Sequence, residues 1–272
     1  MVIANERVIA VDLINFSVVI PTCDRLDYLL DAMNSVFEQT YVPKELNIID
    51  NGLFAVNKNE LPQIDGVQVN LIRGLPYFGV AQARNVGALL CTQEYIAFLD
   101  DDDVWDRFYL EMIMGSIHEN PDSDIFIGAM SDLETRKLLV KKSGDFVDHY
   151  HFISKVLRIN PGITGSNTVV RREVFFNSKG YDPYLTTGQD KALVLDLAID
   201  GFQPKRVGGA IMFHRLNTTG FRQTELTKRL QGKYRFIVKY RKIMKISALV
   251  FNFVYFFKIL LDFISRKIKN IF

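Results

Sequence analysis

The chain has 272 residues, 48% hydrophobic and 12% aromatic, a composition that suits one large α/β domain with an appendage. Its two cysteines, Cys23 and Cys91, show no pairing pattern, and Met1 to Asp12 lacks the apolar core of a signal peptide, which predicts a reducing, cytosolic location. The formal net charge of +2 conceals an asymmetry: residues 222–272 carry a net charge of +11, which leaves −9 for the body. The basic tail predicts a polyanionic partner, either nucleic acid or anionic lipid.

Strand and helix patterns alternate along the first half of the chain. Strands are predicted over 16–20, 46–49, 67–72, 95–99 and 125–129, and helices over 26–37, 80–90 and 106–118. The short connections indicate an α/β fold with a mostly parallel sheet flanked by helices. After about residue 130 the rhythm changes, and the predicted elements are a strand entered through a turn over 163–170, a helix over 191–199 and a strand within 205–214.

The most informative segment is the run of four aspartates, Asp100 to Asp103, directly after the apolar strand 95–99. Adjacent carboxylates repel one another by about 1 kcal/mol per pair in water, so this pattern favours a bound cation. Oxygen ligands suit Mg²⁺ or Mn²⁺, which often share their shell with substrate phosphates. The pattern therefore predicts a metal–diphosphate site at the carboxyl edge of the sheet. A solvated acidic loop that caps the next helix is the alternative interpretation.

Five segments in chain order resemble the signatures of family-two glycosyltransferases. They are Phe16 to Arg25 (FSVVIPTCDR), Ile48 to Gly52 (IIDNG), Gly79 to Gly87 (GVAQARNVG), Phe98 to Trp105 (FLDDDDVW) and Gly180 to Asp190 (GYDPYLTTGQD). The resemblance covers roughly residues 16–215. It implies the GT-A fold, a divalent metal (Mn²⁺ or Mg²⁺), and transfer of a sugar from a nucleotide diphosphate sugar with inversion.

The resemblance also implies roles for individual residues on the donor side. Pro21, Thr22 and Arg25 match the turn that cradles the nucleotide, and Asp50 matches the aspartate that bonds the uracil and ribose. Arg84 matches a basic residue near the nucleotide, although a surface helix residue would give the same pattern.

The aspartate run and two later residues match the reaction centre of the family. Asp100 and Asp101 are expected beside the nucleotide sugar, and Asp102 is expected to be the main metal ligand. Asp190 matches the catalytic base, with the cap of the following helix as its alternative role. His214 is expected at the metal or diphosphate, or else as a structural histidine. Gln189 departs from the glutamate that the family usually has there.

The C-terminal tail combines apolar and basic residues. Residues 246–257 carry no charge, but Lys258 and Asp262 follow, so the stretch is expected to be too short and too charged to cross a bilayer. Its pattern predicts an interfacial helix on anionic lipid. Packing on its own domain or on a dimer partner is the alternative. Nucleic acid is disfavoured because the aromatic residues form an apolar block rather than spaced stacking platforms.

The sequence therefore predicts a GT-A domain over 1–220, with a nucleotide half at 16–130 and an acceptor half at 131–220, and a basic amphipathic helical tail over 221–272. The predicted function is inverting glycosyl transfer from a UDP-sugar to a glycan acceptor, plausibly lipid-linked, at the cytoplasmic face of a membrane, as in bacterial surface-polysaccharide assembly. A nucleotidyltransferase is one alternative, but the chain lacks a Gly-rich basic loop after the first strand. A non-catalytic metal- or sugar-binding module is another, and it would not need Asp190.

Overall fold

The computed structural model describes residues 14–140, 148–216 and 226–269. Within these ranges, nine strands form one mixed sheet in the order β3-β2-β1-β4-β8-β6-β9-β5, and β7 pairs with β6. The strands are β1 Phe16–Thr22, β2 Glu45–Asp50, β3 Gln68–Arg73, β4 Tyr95–Phe98, β5 Val104–Trp105, β6 Ile125–Asp132, β7 Leu138–Val140, β8 Thr168–Arg171 and β9 Pro204–His214.

Eight α-helices flank the sheet in the described ranges. They are α1 Leu26–Phe37, α2 Val80–Leu90, α3 Tyr109–Glu119, α4 His149–Arg158, α5 Arg172–Asn177, α6 Gln189–Ile199, α7 Leu226–Tyr240 and α8 Ile246–Lys269. One apolar cluster joins the first sheet face to α2, α4, α5, α6, α7 and α8, and a second joins the other face to α1 and α3. The result is a three-layer α/β/α domain.

Alternation along the strands produces these two clusters. In β4, Ile96 and Phe98 belong to the first cluster, whereas Tyr95 and Ala97 belong to the second. Successive side chains of a strand point to opposite faces, and a strand covered on both faces reads as a continuous apolar run. All seven residues of β1 are buried for this reason.

The first four strands are parallel, and this places their carboxyl ends at one edge. β1 pairs with β2 and β4, and β2 pairs with β3, all in parallel register. β8 then inserts antiparallel between β4 and β6, and β9 runs parallel to β6. The predicted gathering of strand ends at one edge is confirmed for β1, β2 and β4.

Several elements differ from the sequence prediction. The strand predicted over 163–170 is a 3-10 turn at Gly165–Asn167 followed by β8, and the helix predicted from residue 106 begins at Tyr109. The elements β5, β7, α4 and α5 were not predicted, because they are short, whereas α7 falls within the tail that was predicted to be helical. The helix predicted from Lys191 begins at Gln189, with Gly188 as its N-cap.

The tail divides into α7, which belongs to the core, and α8, which lies on the surface. Phe236 and Tyr240 of α7 share the first cluster with α6. In α8, Ala248, Asn252 and Ile259 are buried, while a stripe of apolar residues remains exposed. The exposed stripe consists of Ile246, Val250, Phe253, Val254, Phe257, Leu261 and Ile264. The division of the chain at residue 220 stays a prediction.

One expectation about α8 is wrong. The window Ile246–Ser265 spans 20 residues with a mean hydropathy of 1.8, and by length and composition this is enough to cross a membrane. The expectation counted only the uncharged run of twelve residues and so underestimated the apolar length of the helix. The two charges, Lys258 and Asp262, do not interrupt its apolar stripe. At about 100° per residue, the stripe lies on the side opposite Ala248 and Asn252.

Gly87 of α2 lets that helix approach the sheet, since a Cβ at this position would overlap Val19 of β1 and crowd Ile49 of β2. We expect Gly87→Ala to lower the free energy of unfolding by about 1–3 kcal/mol through overpacking. Gly115→Ala in α3 is the matched control, because a Cβ there meets no atom within 4 Å. It should instead stabilise the fold by about 0.5–1 kcal/mol. Urea denaturation of both variants checks the contrast, and equal effects would contradict it.

Candidate functional site

A cavity of about 550 Å³ lies at the carboxyl ends of β1 and β4. It brings together residues from β1, α2, the aspartate run, the loop 183–188, the start of α6 and the end of β9. Nine of the ten sequence-derived site residues line it: Pro21, Thr22, Arg25, Arg84, Asp100, Asp101, Asp102, Asp190 and His214. Asp50 does not line it, but its neighbour Asn51 does.

Arg25 holds the middle of the aspartate run. Its guanidinium forms ion pairs with both Asp101 and Asp102, the latter at 2.9 Å. Asp101 also accepts a hydrogen bond from Thr22 Oγ1 at 2.8 Å and is 1% exposed. Burial raises the pKa of Asp101 to about 7, and the charge of Arg25 opposes that rise. Asp101 therefore acts within the protein, tying β1 to the aspartate run.

Arg84 joins Asp100 of the aspartate run to Asp190 at the start of α6. Its Nη2 lies 2.5 Å from Asp100 Oδ1, and its Nη1 lies 2.7 Å from Asp190 Oδ1. The residue is 2% exposed, and its guanidinium lies 5.0 Å from the centre of the Tyr181 ring. The alternative interpretation of Arg84 as a surface helix residue is therefore wrong.

Asp103 forms the other side of the acidic edge. Its Oδ1 lies 2.8 Å from His214 Nδ1 and accepts the backbone N–H of Arg215, and its Oδ2 accepts the hydroxyl of Ser166 at 2.5 Å. The hydrogen bond to Asp103 raises the pKa of His214. Because Nδ1 of His214 is bonded to Asp103, Nε2 is the ring nitrogen that remains for a ligand. The role of His214 at a metal stays a prediction.

The aspartates fit a hard divalent cation. Asp100, Asp102 and Asp103 each offer a carboxylate oxygen, and these atoms lie within 4.8 Å of one another. No hydrogen bond from any described residue reaches Asp100 Oδ2 or Asp102 Oδ1. Two free carboxylate oxygens at a cavity wall are the donor set that Mg²⁺ and Mn²⁺ prefer. Asp103 was not among the predicted site residues.

Asp50 orders the loop that follows β2. Its Oδ1 accepts the backbone N–H of Gly52 at 3.0 Å, and its Oδ2 accepts the N–H of Val56 at 2.8 Å and an Arg73 N–H at 2.6 Å. The residue is 1% exposed. Direct contact with uracil or ribose stays a prediction for Asp50, and Asn51 is the member of this turn that faces the cavity.

Asp190 lines the same cavity as the aspartate run and shares the Arg84 guanidinium with Asp100. It lies in the first turn of α6, after the N-cap Gly188, so the alternative interpretation as the cap residue is wrong. Burial raises the pKa of Asp190 above its ordinary value, with the Arg84 charge acting against the rise. A carboxylate with a raised pKa at a cavity wall suits a general base.

Sequence reasoning missed the residues that support these groups. Asn85, beside Arg84 on α2, donates to the Tyr181 carbonyl and accepts the Tyr181 N–H, both at 2.8 Å, and so fixes the 180–190 loop. Ser166 bonds Asp103 and accepts the N–H of Asp100. The only local signal was the position of Asn85 inside the motif segment Gly79 to Gly87, and Ser166 lies outside the five segments.

The sheet order, the acidic edge and the carboxylate opposite it define a protein of the GT-A class. The structure is similar to S. aureus TarS 1–349 in complex with UDP-GlcNAc, with a TM-score of 0.64, 16% identity, and coverage of 83% of this chain and 66% of that one. This likeness confirms the predicted fold.

Sequence comparison identifies the family. The profile of "Glycosyl transferase family 2" matches residues 17–176, more than half of the chain, and the chain belongs to this family. It is 31% identical over 115 residues to glycosyltransferase GlyG of Streptococcus pneumoniae, covering 41% of this chain and 38% of that protein. It is 27% identical over 104 residues to the Escherichia coli UDP-Glc:alpha-D-GlcNAc-diphosphoundecaprenol beta-1,3-glucosyltransferase WfgD, covering 38% and 41%. These matches span less than half the length of either relative.

Arg84→Met should be strongly destabilising, because it leaves the Asp100 and Asp190 carboxylates without their buried partner. We expect a loss of about 3–5 kcal/mol in the free energy of unfolding, measured by urea denaturation near pH 7. The control is Arg171→Met, which also bridges two carboxylates, Glu94 and Asp124, but whose own side chain is 27% exposed, against 3% for that of Arg84. It should cost no more than about 1 kcal/mol. Similar losses in the two variants would show that Arg84 does not hold the site together.

Proposed function

We propose that this protein is an inverting, metal-dependent glycosyltransferase that moves a sugar from a nucleotide diphosphate sugar to a hydroxyl of a glycan acceptor. One observation carries the proposal: the acidic edge and Asp190 line a single cavity. Arg84 links the two through Asp100 and Asp190. Inversion needs the base and the leaving group on opposite sides of the anomeric carbon, and a donor sugar bound between Asp190 and the acidic edge would meet that requirement.

The acidic edge and Asp190 have separate chemical tasks. Asp100 and Asp102 would hold the metal, which when bound supplies Lewis-acid stabilisation of the departing diphosphate. Asp190 accepts the proton of the acceptor hydroxyl as that oxygen attacks. Arg84 keeps the base ionised and oriented, because a nearby positive charge favours the carboxylate form.

The donor is proposed to be a UDP-sugar, and the acceptor a lipid-diphosphate-linked glycan in polysaccharide biosynthesis. Support for the donor comes from the fold shared with TarS, a structure of which contains UDP-GlcNAc. Support for the acceptor comes from the named substrate of WfgD. AmsB of Erwinia amylovora, an amylovoran biosynthesis glycosyltransferase, is 29% identical over 110 residues, which cover 38% of this chain and 36% of that protein.

The two alternatives account for less of the site. A nucleotidyltransferase needs a basic phosphate loop after β1, but the residues there are Thr22, Cys23 and Asp24, with Arg25 already engaged by carboxylates. A non-catalytic module would not need a carboxylate of raised pKa opposite the acidic edge. Both alternatives are tested by turnover.

The defining experiment measures UDP release across a panel of UDP-sugars and acceptors, with Mn²⁺ or with excess chelator. Asp190→Asn should lower transfer by roughly 100-fold or more while donor binding stays within a few-fold, because only the proton acceptor is lost. Asp102→Ala should lose both turnover and the metal-dependent part of UDP binding. In the parent, the rate should fall as pH drops through the raised pKa of Asp190, since protonation removes the base.

Full activity in chelator would exclude the metal role. Near-normal transfer by Asp190→Asn would make that residue structural. UDP binding by the parent without release of UDP, under every acceptor tested, would instead favour the binding module.

We also propose that α8 lies flat on an anionic membrane at the cytoplasmic face. Ala248, Asn252 and Ile259 are buried against the body, over roughly 16 Å of helix at 1.5 Å per residue. A helix docked along that length cannot cross a bilayer without taking charged α7 with it, so the apolar stripe suits an interface. The exposed basic residues Lys245 and Lys258 flank the stripe, and apolar area and charge add at anionic lipid.

Val254→Gln with Leu261→Gln should weaken binding to phosphatidylglycerol vesicles by about 10-fold or more, since these side chains are 64% and 67% exposed. The matched control is Leu89→Gln with Ile199→Gln, two exposed apolar residues on other helices. Vesicle co-sedimentation provides the measurement. If the parent ignores vesicles and the α8 variant instead dissociates an oligomer in size-exclusion chromatography, the stripe is a protein interface.

A further inference from the structure

Two lysines share one aromatic ring at the junction of α6, α7 and α8. The Nζ of Lys191, in the first turn of α6, lies 4.0 Å from the centre of the Phe236 ring, and the residue is only 7% exposed. The Nζ of Lys233 on α7 lies 5.8 Å from the same ring and 5.0 Å from that of Tyr255. Two ammonium groups therefore lie on one small patch.

No carboxylate of the described residues pairs with either lysine. Lys233 donates to the side-chain oxygen of Asn252, a neutral acceptor, and Lys191 takes part in no ion pair or hydrogen bond with a described residue. Lys239, further along α7, shows the usual arrangement, since it bonds Asp182 and Asp196 at 2.9 and 2.8 Å. Burial and the charge of Lys233 lower the pKa of Lys191 to about 7, and burial lowers that of Lys233 to about 8.

Three effects thus oppose a positive charge at Lys191. The side chain is removed from water, a second cation is nearby, and the first turn of α6 is the positive end of that helix dipole. The stacked ring of Phe236 offsets only part of this, because a cation–π contact contributes about 0.5–2 kcal/mol. A bound anion would relieve all three effects at once.

The pair lies between the cavity and the buried face of α8, which carries Asn252. Asp190 lines the cavity and Lys191 follows it directly, while Lys228 of α7 also lines the cavity. Gly232, beside Lys233, packs so closely on Thr187 of the cavity wall that a Cβ would overlap it. On the other side, Arg229 donates to the Tyr255 hydroxyl of α8 at 3.3 Å. Cationic side chains of α7 therefore extend from the cavity to α8.

We propose that Lys191 and Lys233 form a phosphate-binding subsite that holds the diphosphate of a lipid-linked acceptor, a ligand class that rests on the function proposed above. A diphosphate carries enough charge for two ammonium groups, and phosphate oxygens are their usual partners. A lipid tail leaving this subsite would pass α8 beside the exposed Tyr255 to reach the apolar stripe on the outer side of that helix, and the glycan would reach toward Asp190. The subsite thus separates recognition of the acceptor's diphosphate from recognition of its sugar.

Pyrophosphate binding tests the subsite without any transferase reaction. With chelator present and nucleotide absent, pyrophosphate should raise the melting temperature of the parent, because a ligand that binds only the folded state stabilises it. In Lys191→Met with Lys233→Met, the apparent Kd for pyrophosphate should rise about 10-fold or more. Arg241→Met with Lys242→Met, at two exposed basic residues just after α7, is the charge-matched control and should bind like the parent.

The single variant Lys191→Met separates an anion site from a structural lysine. If the ammonium is an unpaired charge awaiting an anion, its removal should raise the melting temperature in the absence of phosphate and reduce the shift that pyrophosphate produces. A lower melting temperature together with an unchanged pyrophosphate shift would overturn the proposal, and so would equal Kd values for the parent and the double variant.

The source of the phosphate is decided with two vesicle preparations. The double variant should bind phosphatidylcholine vesicles that contain a small fraction of polyprenyl diphosphate more weakly than the parent does. Binding to phosphatidylglycerol vesicles should depend mainly on the α8 stripe. The reverse dependence would overturn the diphosphate assignment in favour of a lipid headgroup. In turnover, the double variant should raise KM for a lipid-diphosphate acceptor about 10-fold or more, and far less for a diphosphate-free glycan. Loss of all turnover in the parent, with pyrophosphate binding intact, would refute the proposed function and leave the anion site standing.

Discussion

The contact on which the site depends is the buried bridge from Arg84 to Asp100 and Asp190. A buried guanidinium costs several kcal/mol unless it is paired and hydrogen-bonded, so the two carboxylates must stay where they are. The surroundings conform to this bridge: Gly165 has no side chain because a Cβ would overlap the guanidinium, and Tyr181 covers it. The Arg84 side chain of α2 thereby sets the spacing between the acidic edge and Asp190.

The same arrangement corrects the physical argument made from the four aspartates. Repulsion alone would call for an external cation, but the chain provides its own positive charge in Arg25 and Arg84, with His214 bonded to Asp103. The case for a metal therefore rests on the two free oxygens of Asp100 and Asp102, not on the charge of the run. These positive charges offset part of the negative charge of the edge and leave one oxygen of each of these two aspartates for a ligand.

The sequence was sufficient for the parts of the fold that local patterns determine. β1 to β4, α1 and α2 follow apolar runs and helical spacing, and the parallel order alone places Thr22 and Asp100 at one edge. Long-range partners were beyond it: Asn85 on the Tyr181 backbone and Ser166 on Asp103 join segments far apart in the chain. Asp50 shows the opposite difficulty, because its neighbours Gly52 and Val56 occupy the carboxylate through backbone N–H groups that no side-chain pattern records.

The helix α6 connects the cavity to the helices α7 and α8. Successive residues on a helix point about 100° apart, so Asp190 can face the cavity while Lys191 faces α7 and the Phe236 ring. α7 packs on α6 through Phe236 and Tyr240, and α8 packs on α7 through Asn252. Packing therefore connects the apolar stripe to the helix that carries Asp190. Because these contacts are buried, the distance between the stripe and Asp190 is fixed by packing. If the stripe binds a membrane as proposed, an acceptor held at that surface would present its sugar at a constant height.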